Sequence, residues 1–247
     1  MELNKIYNED CYTGIKRILD KSIDLVYIDI PYLMDSGGCS GSGLGERIKR
    51  LNFEEILDIR QGIDYSIFDE LVRVMKHIFI FIWCSKNQIH DIMSIFIDKY
   101  NCSFNMLVWC KTNPTPACNG TWLPDLEYCL VFKDKDAPKY NDGYELKSRF
   151  YVSPINKQDK DLYDHPTIKP LELVKRHILH ATQKGDVVLD CFIGSGTTAI
   201  ACKETGRNFI GFEINPDYYN KAIDRLNGLT RAEKELIESG QQVLDLF

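Results

Sequence analysis

Val187-Val188-Leu189-Asp190-Cys191-Phe192-Ile193-Gly194-Ser195-Gly196-Thr197-Thr198-Ala199 reads as a buried strand, a glycine turn and the start of a helix. The run from Asp186 to Leu189 is apolar, β-branched and too short for a good helix. Gly194 and Gly196 let the backbone bend sharply and let a ligand approach where a side chain would block it. Asp190 closes the strand and can accept hydrogen bonds from the turn's own amides. After a helix over Thr197 to Thr205, a second strand from Asn208 to Phe212 ends at Glu213. A carboxylate at that point can accept from both ribose hydroxyls of a nucleoside, so the segment suits an adenosine-type cofactor. Gly194, Gly196 and Ala199 also satisfy the dinucleotide pattern G-x-G-x-x-A, with Glu213 near the offset of about 20 residues that pattern requires. Against a dehydrogenase, 48 residues follow Ala199, fewer than a second mononucleotide half and a substrate domain need. A glycine turn that holds no ligand is the remaining reading of the segment alone.

Outward from this unit, short apolar runs alternate with helical patterns, the signature of a parallel sheet covered on both faces. Strands are expected at Asp24 to Ile28, Ile78 to Trp83, Met106 to Cys110 and Glu127 to Phe132. Helices are expected at Ile67 to Met75, Ile89 to Lys99, Pro170 to Thr182 and Pro216 to Asn227. Ser36 to Gly45 is rich in Gly and Ser and is expected to be a mobile loop, and Arg231 to Phe247 a polar, helix-prone tail.

The 247 residues are 44% hydrophobic, enough for one sizeable core, so a single domain over 1–247 is expected. No apolar run approaches membrane-spanning length and the N-terminus is not signal-like, which predicts a cytoplasmic protein. The nine cysteines include no C-x-x-C pair and mostly sit in apolar surroundings, so we read them as reduced core residues, with no metal site. A net charge of −6 and a pI of about 5.4 oppose a nucleic-acid partner unless a local basic surface exists. The best candidate is Lys133 to Lys160, where seven basic residues face five acidic ones, a balance that also suits a solvated loop.

The strand from Asp24 runs into Asp29-Ile30-Pro31-Tyr32, a carboxylate, a proline-fixed turn and an aromatic ring at a strand's carboxyl end. This tetrapeptide resembles the Asp-Pro-Pro-Tyr motif of the DNA amino-methyltransferases. Phe192 to Thr198 resembles their Phe-x-Gly-Ser-Gly-Thr-Thr motif, and His165-Pro166-Thr167-Ile168-Lys169-Pro170 their His-Pro-Thr-x-Lys-Pro. The catalytic motif precedes the cofactor motif, as in the circularly permuted beta group. Asp10 with Cys11 resembles that group's opening segment, and Trp109, Lys111, Asn113, Pro114, Pro116 and Glu127 its middle one.

The resemblance implies an α/β fold with a doubly wound, mostly parallel, seven-stranded sheet, a loop or insertion over 33–64 near the active site, and a small target-recognition region over 133–164. It implies transfer of a methyl group from S-adenosyl-L-methionine to adenine N6 in double-stranded DNA, by direct in-line displacement on a flipped base. Asp29 and the Ile30 carbonyl would accept the amine's hydrogens, with Pro31 shaping the turn and Tyr32 stacking on the base. By the same matching, the cofactor site comprises Asp10, Cys11, Asp29, Thr167, Lys169, Asp190, Phe192, Gly194, Ser195, Gly196, Thr197 and Glu213. Asp rather than Ser at the head of the motif favours adenine over cytosine N4. A homodimer and a cognate restriction endonuclease are partners that the group offers, and RNA or protein amines are alternative substrates. Ile30 departs from the family's proline and frees a turn dihedral at a cost of about 1 kcal/mol, which predicts reduced activity. In the extreme it predicts a DNA-binding homologue without catalysis. Trp83 and Trp109 are expected in the core and Trp122 at the surface.

Overall fold

The computed structural model describes residues 1–33, 62–114, 122–140, 143–155 and 168–229. The expected loop at Ser36 to Gly45 and the tail from Arg231 lie outside them. Eight strands form one sheet: β1 (Lys5–Tyr7), β2 (Leu25–Asp29), β3 (Phe79–Cys84), β4 (Ser103–Lys111), β5 (Leu126–Lys133), β6 (Phe150–Ser153), β7 (Val187–Asp190) and β8 (Asn208–Phe212). Their spatial order is β1-β8-β7-β2-β3-β5-β4-β6, and β5 alone among these runs antiparallel to its neighbours.

The sheet is mostly parallel as expected, with eight strands rather than seven. The strands missed in sequence are the short edges. β1 has three residues, too few to show a period, and β6 alternates only half-exposed and exposed positions within a mixed-charge stretch. Residues 150–153 of the presumed recognition region thus belong to the sheet, paired in parallel with β4 from Val108↔Phe150 to Lys111↔Ser153.

Successive strand residues point to opposite faces, and both faces are buried. Val26 and Ile28 of β2 pack with α1 (Cys11–Gly14) and its following turn, α2 (Ile67–Val74) and α3 (Ile89–Met93), where Ile15, Phe68, Leu71 and Ile92 are solvent-excluded. Leu25 and Tyr27 point the other way, toward Val174 and Ile178 of α4 (Leu171–Ala181), Ala199 and Cys202 of α5 (Thr197–Thr205) and Ala222 of α6 (Pro216–Leu226). The helix expected over 89–99 is α only to Met93; Ser94–Lys99 widens into a π-helical turn. Trp83 and Trp109 are buried and Trp122 is exposed. Of the described cysteines, Cys11, Cys84, Cys102, Cys129, Cys191 and Cys202 are buried free thiols, with Cys110 half-buried. Among the described residues no helix is long and apolar enough to cross a membrane, and no group of His, Cys, Asp and Glu is arranged to hold a metal.

The chain leaves β2 toward β3 and leaves β7 toward β8, so it departs in opposite directions from two adjacent parallel strands. Such a switch point opens a crevice at the strands' carboxyl ends. Asp29 and Asp190 are the last residues of β2 and β7 and face that crevice together.

Candidate active site

At the tip of β7 the backbone turns through two left-handed glycines, Gly194 at φ 51° and Gly196 at φ 80°. A β-carbon on Gly196 would also sit 3.2 Å from that of Ala222, so the helix packing as well as the dihedral requires glycine. The Phe192 amide donates to Asp190 Oδ1 at 3.0 Å, and the Thr198 hydroxyl to Oδ2 at 2.6 Å. Burial, only partly offset by these donors, pushes the Asp190 carboxyl up to about 7.

Glu213, just past β8, accepts the Gly194 amide on Oε2 and the Asn215 amide on Oε1, both at 2.9 Å. Each oxygen keeps a further lone pair for a hydroxyl donor. Burial raises its pKa despite those amides. The bend is braced from behind by Arg225 of α6, whose Nη1 donates to the Ser195 carbonyl at 3.2 Å and to Thr197 Oγ1 at 2.8 Å. On the other flank β1 pairs with β8, and the Glu213 amide donates to the Tyr7 carbonyl at 3.0 Å. That pairing delivers Asp10, the N-cap of α1, and Cys11 to the same crevice.

The neighbouring strand tip carries the second half of the site. Lys169 Nζ lies 2.5 Å from Asp29 Oδ2, 2.9 Å from Glu127 Oε2 and 3.3 Å from the Tyr32 hydroxyl. Lys111 Nζ holds the other oxygen of Glu127 at 2.6 Å. Two carboxylates and two ammonium groups therefore balance in charge inside a recess, above the Trp83 ring whose centroid is 5.2 Å from Lys169 Nζ.

Burial raises the Asp29 pKa, and Lys169 opposes that rise while Glu127 adds to it. For Glu127 the desolvation is outweighed by Lys169 and Lys111, which hold its carboxyl down at about 2. Lys169 is itself raised: burial would lower it, and Asp29 and Glu127 prevail. Burial, then the charges of Asp29 and Glu127, lift the Tyr32 phenol well above its ordinary value. Asp29 Oδ1 is buried and has no hydrogen-bond partner among the described residues. An acceptor in that state is a strong place to receive a donor from a ligand.

Ile30, the departure from the family's proline, has its side chain in the core at 2% exposure and donates its amide to the Trp83 carbonyl at 3.2 Å. A proline there would lack this bond. The freedom expected of the turn is thus taken up by a hydrogen bond that continues the β2–β3 ladder.

The two half-sites open into one cavity of about 650 Å³, within the range of cofactor and substrate sites. It is lined by Asp10, Cys11, Asp29, Ile30, Pro31, Tyr32, Lys169, Asp190, Phe192, Gly194, Ser195, Thr197 and Glu213. Gly196 instead packs against α6, and Thr167, with His165, lies outside the described residues. Lys169, placed with the cofactor by the resemblance, lines the same cavity with its ammonium on the Asp29 carboxylate. Glu127 and Lys111 entered only through the resemblance, although charges at 127 and 111 in otherwise apolar strands are a signal of their own. Arg225 gave no signal, because an Arg on an amphipathic helix looks solvated.

Residues 23–224 match a family model for N6/N4 methyltransferases, described as DNA methylase. Over 244 residues the chain is 30% identical to the type II methyltransferase M2.LlaDCHI of Lactococcus lactis subsp. cremoris, covering 90% of this chain and 88% of that protein. It is 29% identical to the type II methyltransferase M2.DpnII of Streptococcus pneumoniae, with the same coverage of 90% and 88%. Among solved structures, the M1.HpyAVI–SAM complex superposes with a TM-score of 0.66 at 27% identity, covering 90% of this chain and 98% of that one. The cytosine-N4-specific PvuII DNA methyltransferase, 16% identical, shares the fold with a TM-score of 0.71 over 96% of this chain and 91% of its own. With its permuted order of half-sites and a family match spanning most of its length, the chain belongs to the N6/N4 DNA methylase family.

Proposed function

We propose that this protein methylates adenine N6 at specific sites in duplex DNA, using S-adenosylmethionine. The observation that carries the reading is the unpartnered Asp29 Oδ1 in the same cavity as the glycine bend at Gly194. The residues at the bend fit the cofactor: Glu213 keeps acceptor capacity for the ribose, Gly194 leaves the backbone open to close approach, and Asp10, Asp190 and Glu213 set carboxyl groups along the cavity wall. When bound, the cofactor supplies an electrophilic methyl group whose departure leaves the electron pair on sulfur.

The chain's own residues act on the amine. An exocyclic amine is a poor nucleophile because its lone pair is delocalised into the ring. Asp29 Oδ1 and the Ile30 carbonyl accept its two hydrogens, favouring the geometry in which the lone pair points at the methyl group. As the N–C bond forms, nitrogen becomes cationic, and the Asp29 carboxylate is the nearest acceptor for the proton it sheds. The base reaches this recess only out of the duplex, and Tyr32 supports its face. Asp29 at the head of the motif favours adenine over cytosine N4, a distinction that the fold itself does not make, since it is shared with a cytosine-N4-specific enzyme.

Target reading falls to segments 33–64 and 133–164 within a single 1–247 domain. Gly62 and Ile63, at the end of the first segment, line the cavity, and the Tyr12 hydroxyl ties Asp64 to it at 2.9 Å. The likeness to type II methyltransferases favours a cognate endonuclease as partner; a cytoplasmic location and a homodimer sharing target recognition complete the proposal. The decisive experiment incubates the protein with duplex DNA and isotopically labelled S-adenosylmethionine, then digests the product for mass spectrometry. N6-methyladenine is expected. N4-methylcytosine would replace the adenine assignment, and no incorporation by cofactor-bound protein would overturn the reaction.

A further inference from the structure

Between β3 and α3 lies Gln88, a polar side chain with no exposed surface. A buried amide is costly unless its partners are all in place. Gln88 Oε1 accepts the Ser85 amide at 3.0 Å, and Nε2 donates to the Pro31 carbonyl at 3.0 Å. Because the Ser85 amide can only donate and the Pro31 carbonyl can only accept, the orientation of the Gln88 amide is fixed. The Ser85 hydroxyl, 2.9 Å from both Gln88 Oε1 and the Leu33 carbonyl, has one proton for the two acceptors. Ser85 and Gln88 cap their own short helical turn. The donors left over are aimed at a different segment, the turn that follows β2.

On the near side of that turn the Ile30 amide is held by the Trp83 carbonyl. On the far side Gln88 holds the Pro31 carbonyl. Between these two fixed groups lies the Ile30–Pro31 peptide unit, whose carbonyl direction depends on the dihedrals of both residues. The Pro31 ring fixes φ of residue 31, and a residue before proline is confined to extended conformations. What remains is ψ at 31 and the width of the extended range at 30, and the hydrogen bond from Gln88, by anchoring the Pro31 carbonyl, restrains the two together.

We propose, on the reading in which Asp29 and the Ile30 carbonyl accept the amine's hydrogens, that Gln88 is a positioning residue for methyl transfer. Acting through Pro31, it aims the Ile30 carbonyl and supplies the stiffness that a proline at position 30 would give by its ring. Displacement of an acceptor by a fraction of an ångström costs rate more than binding, because the alignment matters most in the transition state.

Gln88→Met keeps the side chain's length and removes both polar ends. Methyl transfer to duplex DNA at saturating cofactor is expected to fall about 10- to 100-fold in kcat, with the KM for S-adenosylmethionine within about twofold of wild type. The discriminating arm is Ile30→Pro. Its effect on kcat is expected to be at least about tenfold more favourable in the Gln88→Met background than in the wild-type background. A merely structural Gln88 would give additive effects. Should Gln88→Met fail to fold, Ser85→Ala, which removes the hydroxyl at Leu33, is expected to show the same rescue on a fall of about threefold or more. A kcat within twofold of wild type, or a fall that Ile30→Pro leaves untouched, overturns the assignment. Asp29→Asn separates the two levels. If it retains wild-type rate, the reading of Asp29 fails and the role of Gln88 with it; if it is inactive while Gln88→Met is unaffected, only the role of Gln88 falls.

Discussion

Lys169 reaches Asp29 across 140 residues of sequence and occupies one oxygen of its carboxylate, leaving Oδ1 without a hydrogen-bond partner among the described residues. The ammonium is shared: Glu127 takes it on the other side, and Lys111 in turn holds Glu127. A lone lysine on Asp29 would hold the carboxylate ionised but would also compete with any ligand for it. Division between two carboxylates loosens the lysine's hold on Asp29 and leaves its second oxygen for a donor.

Glu127→Gln tests that division. Burial and Glu127 raise the Asp29 pKa and Lys169 lowers it, so removal of the Glu127 charge leaves only burial against Lys169 and the Asp29 pKa falls. In the proposed role Asp29 accepts in its ionised form, so activity is expected to be lost as pH falls through its pKa. The acid limb of the kcat profile is therefore expected to move to lower pH. The plateau rate is expected to drop about tenfold, because the carboxylate is now more tightly held. A profile with an unmoved limb would show that Glu127 does not act through Lys169.

Lys169→Met should move the limb the other way. Without the ammonium, Asp29 keeps the two influences that raise its pKa, burial and the nearby Glu127 carboxylate. Two carboxylates in one recess without a cation resist simultaneous ionisation. The acid limb is expected at higher pH, with a rate at pH 7 about 100-fold below wild type that partly recovers by pH 9. A uniformly low rate from pH 6 to 10 would instead assign Lys169 to cofactor binding.

Asp190 predicts a pH dependence of stability in the ligand-free protein. Its carboxyl is raised from 3.8 to about 7 by burial. Below 3.8 folded and unfolded states are both protonated and nothing is lost; as pH rises toward 7 the unfolded state ionises first, so its contribution disfavours folding progressively across that window. Asp190→Asn can still accept the Phe192 amide and can donate to the Thr198 hydroxyl. Calorimetric Tm values compared from pH 4 to 8 are expected to show the variant gaining on wild type as pH increases. A constant difference would place the Asp190 pKa at its ordinary value.

How far the sequence disclosed this site depends on the range of the interaction. The β7–α5–β8 unit was legible in detail, helix Thr197–Thr205 and strand Asn208–Phe212 included, because a strand, a glycine bend and a helix start are local physics. Asp29 and its turn were legible as a motif. The consequence of Ile30 was not, since its amide is satisfied by Trp83 from another strand. The charge network was illegible as a network: its members come from β2, β4, β5 and the segment before α4, and only the sheet order β2-β3-β5-β4 brings them together. Gln88 looks like a polar loop residue until the structure shows it fully buried.

Arg225 lies on the far side of the glycine bend from the reacting atoms, so its loss should separate cofactor binding from chemistry. Nη1 holds the Ser195 carbonyl and the Thr197 hydroxyl, the two residues that flank Gly196. At 6% exposure the guanidinium is buried, and its donors fix the bend in the form that presents the Gly194 region to the cavity. Arg225→Met keeps the aliphatic stem and removes the donors. The bend then relaxes in the free enzyme, and cofactor binding must reorder it, which weakens affinity without altering Asp29 or Ile30. We expect the KM for S-adenosylmethionine to rise about tenfold or more and kcat at saturation to stay within about threefold, with Tm lowered. Titration calorimetry with the cofactor should show the same loss without DNA present. A fall in kcat with unchanged cofactor affinity would mean that the bend acts on the chemical step, and the brace would then belong to the catalytic geometry.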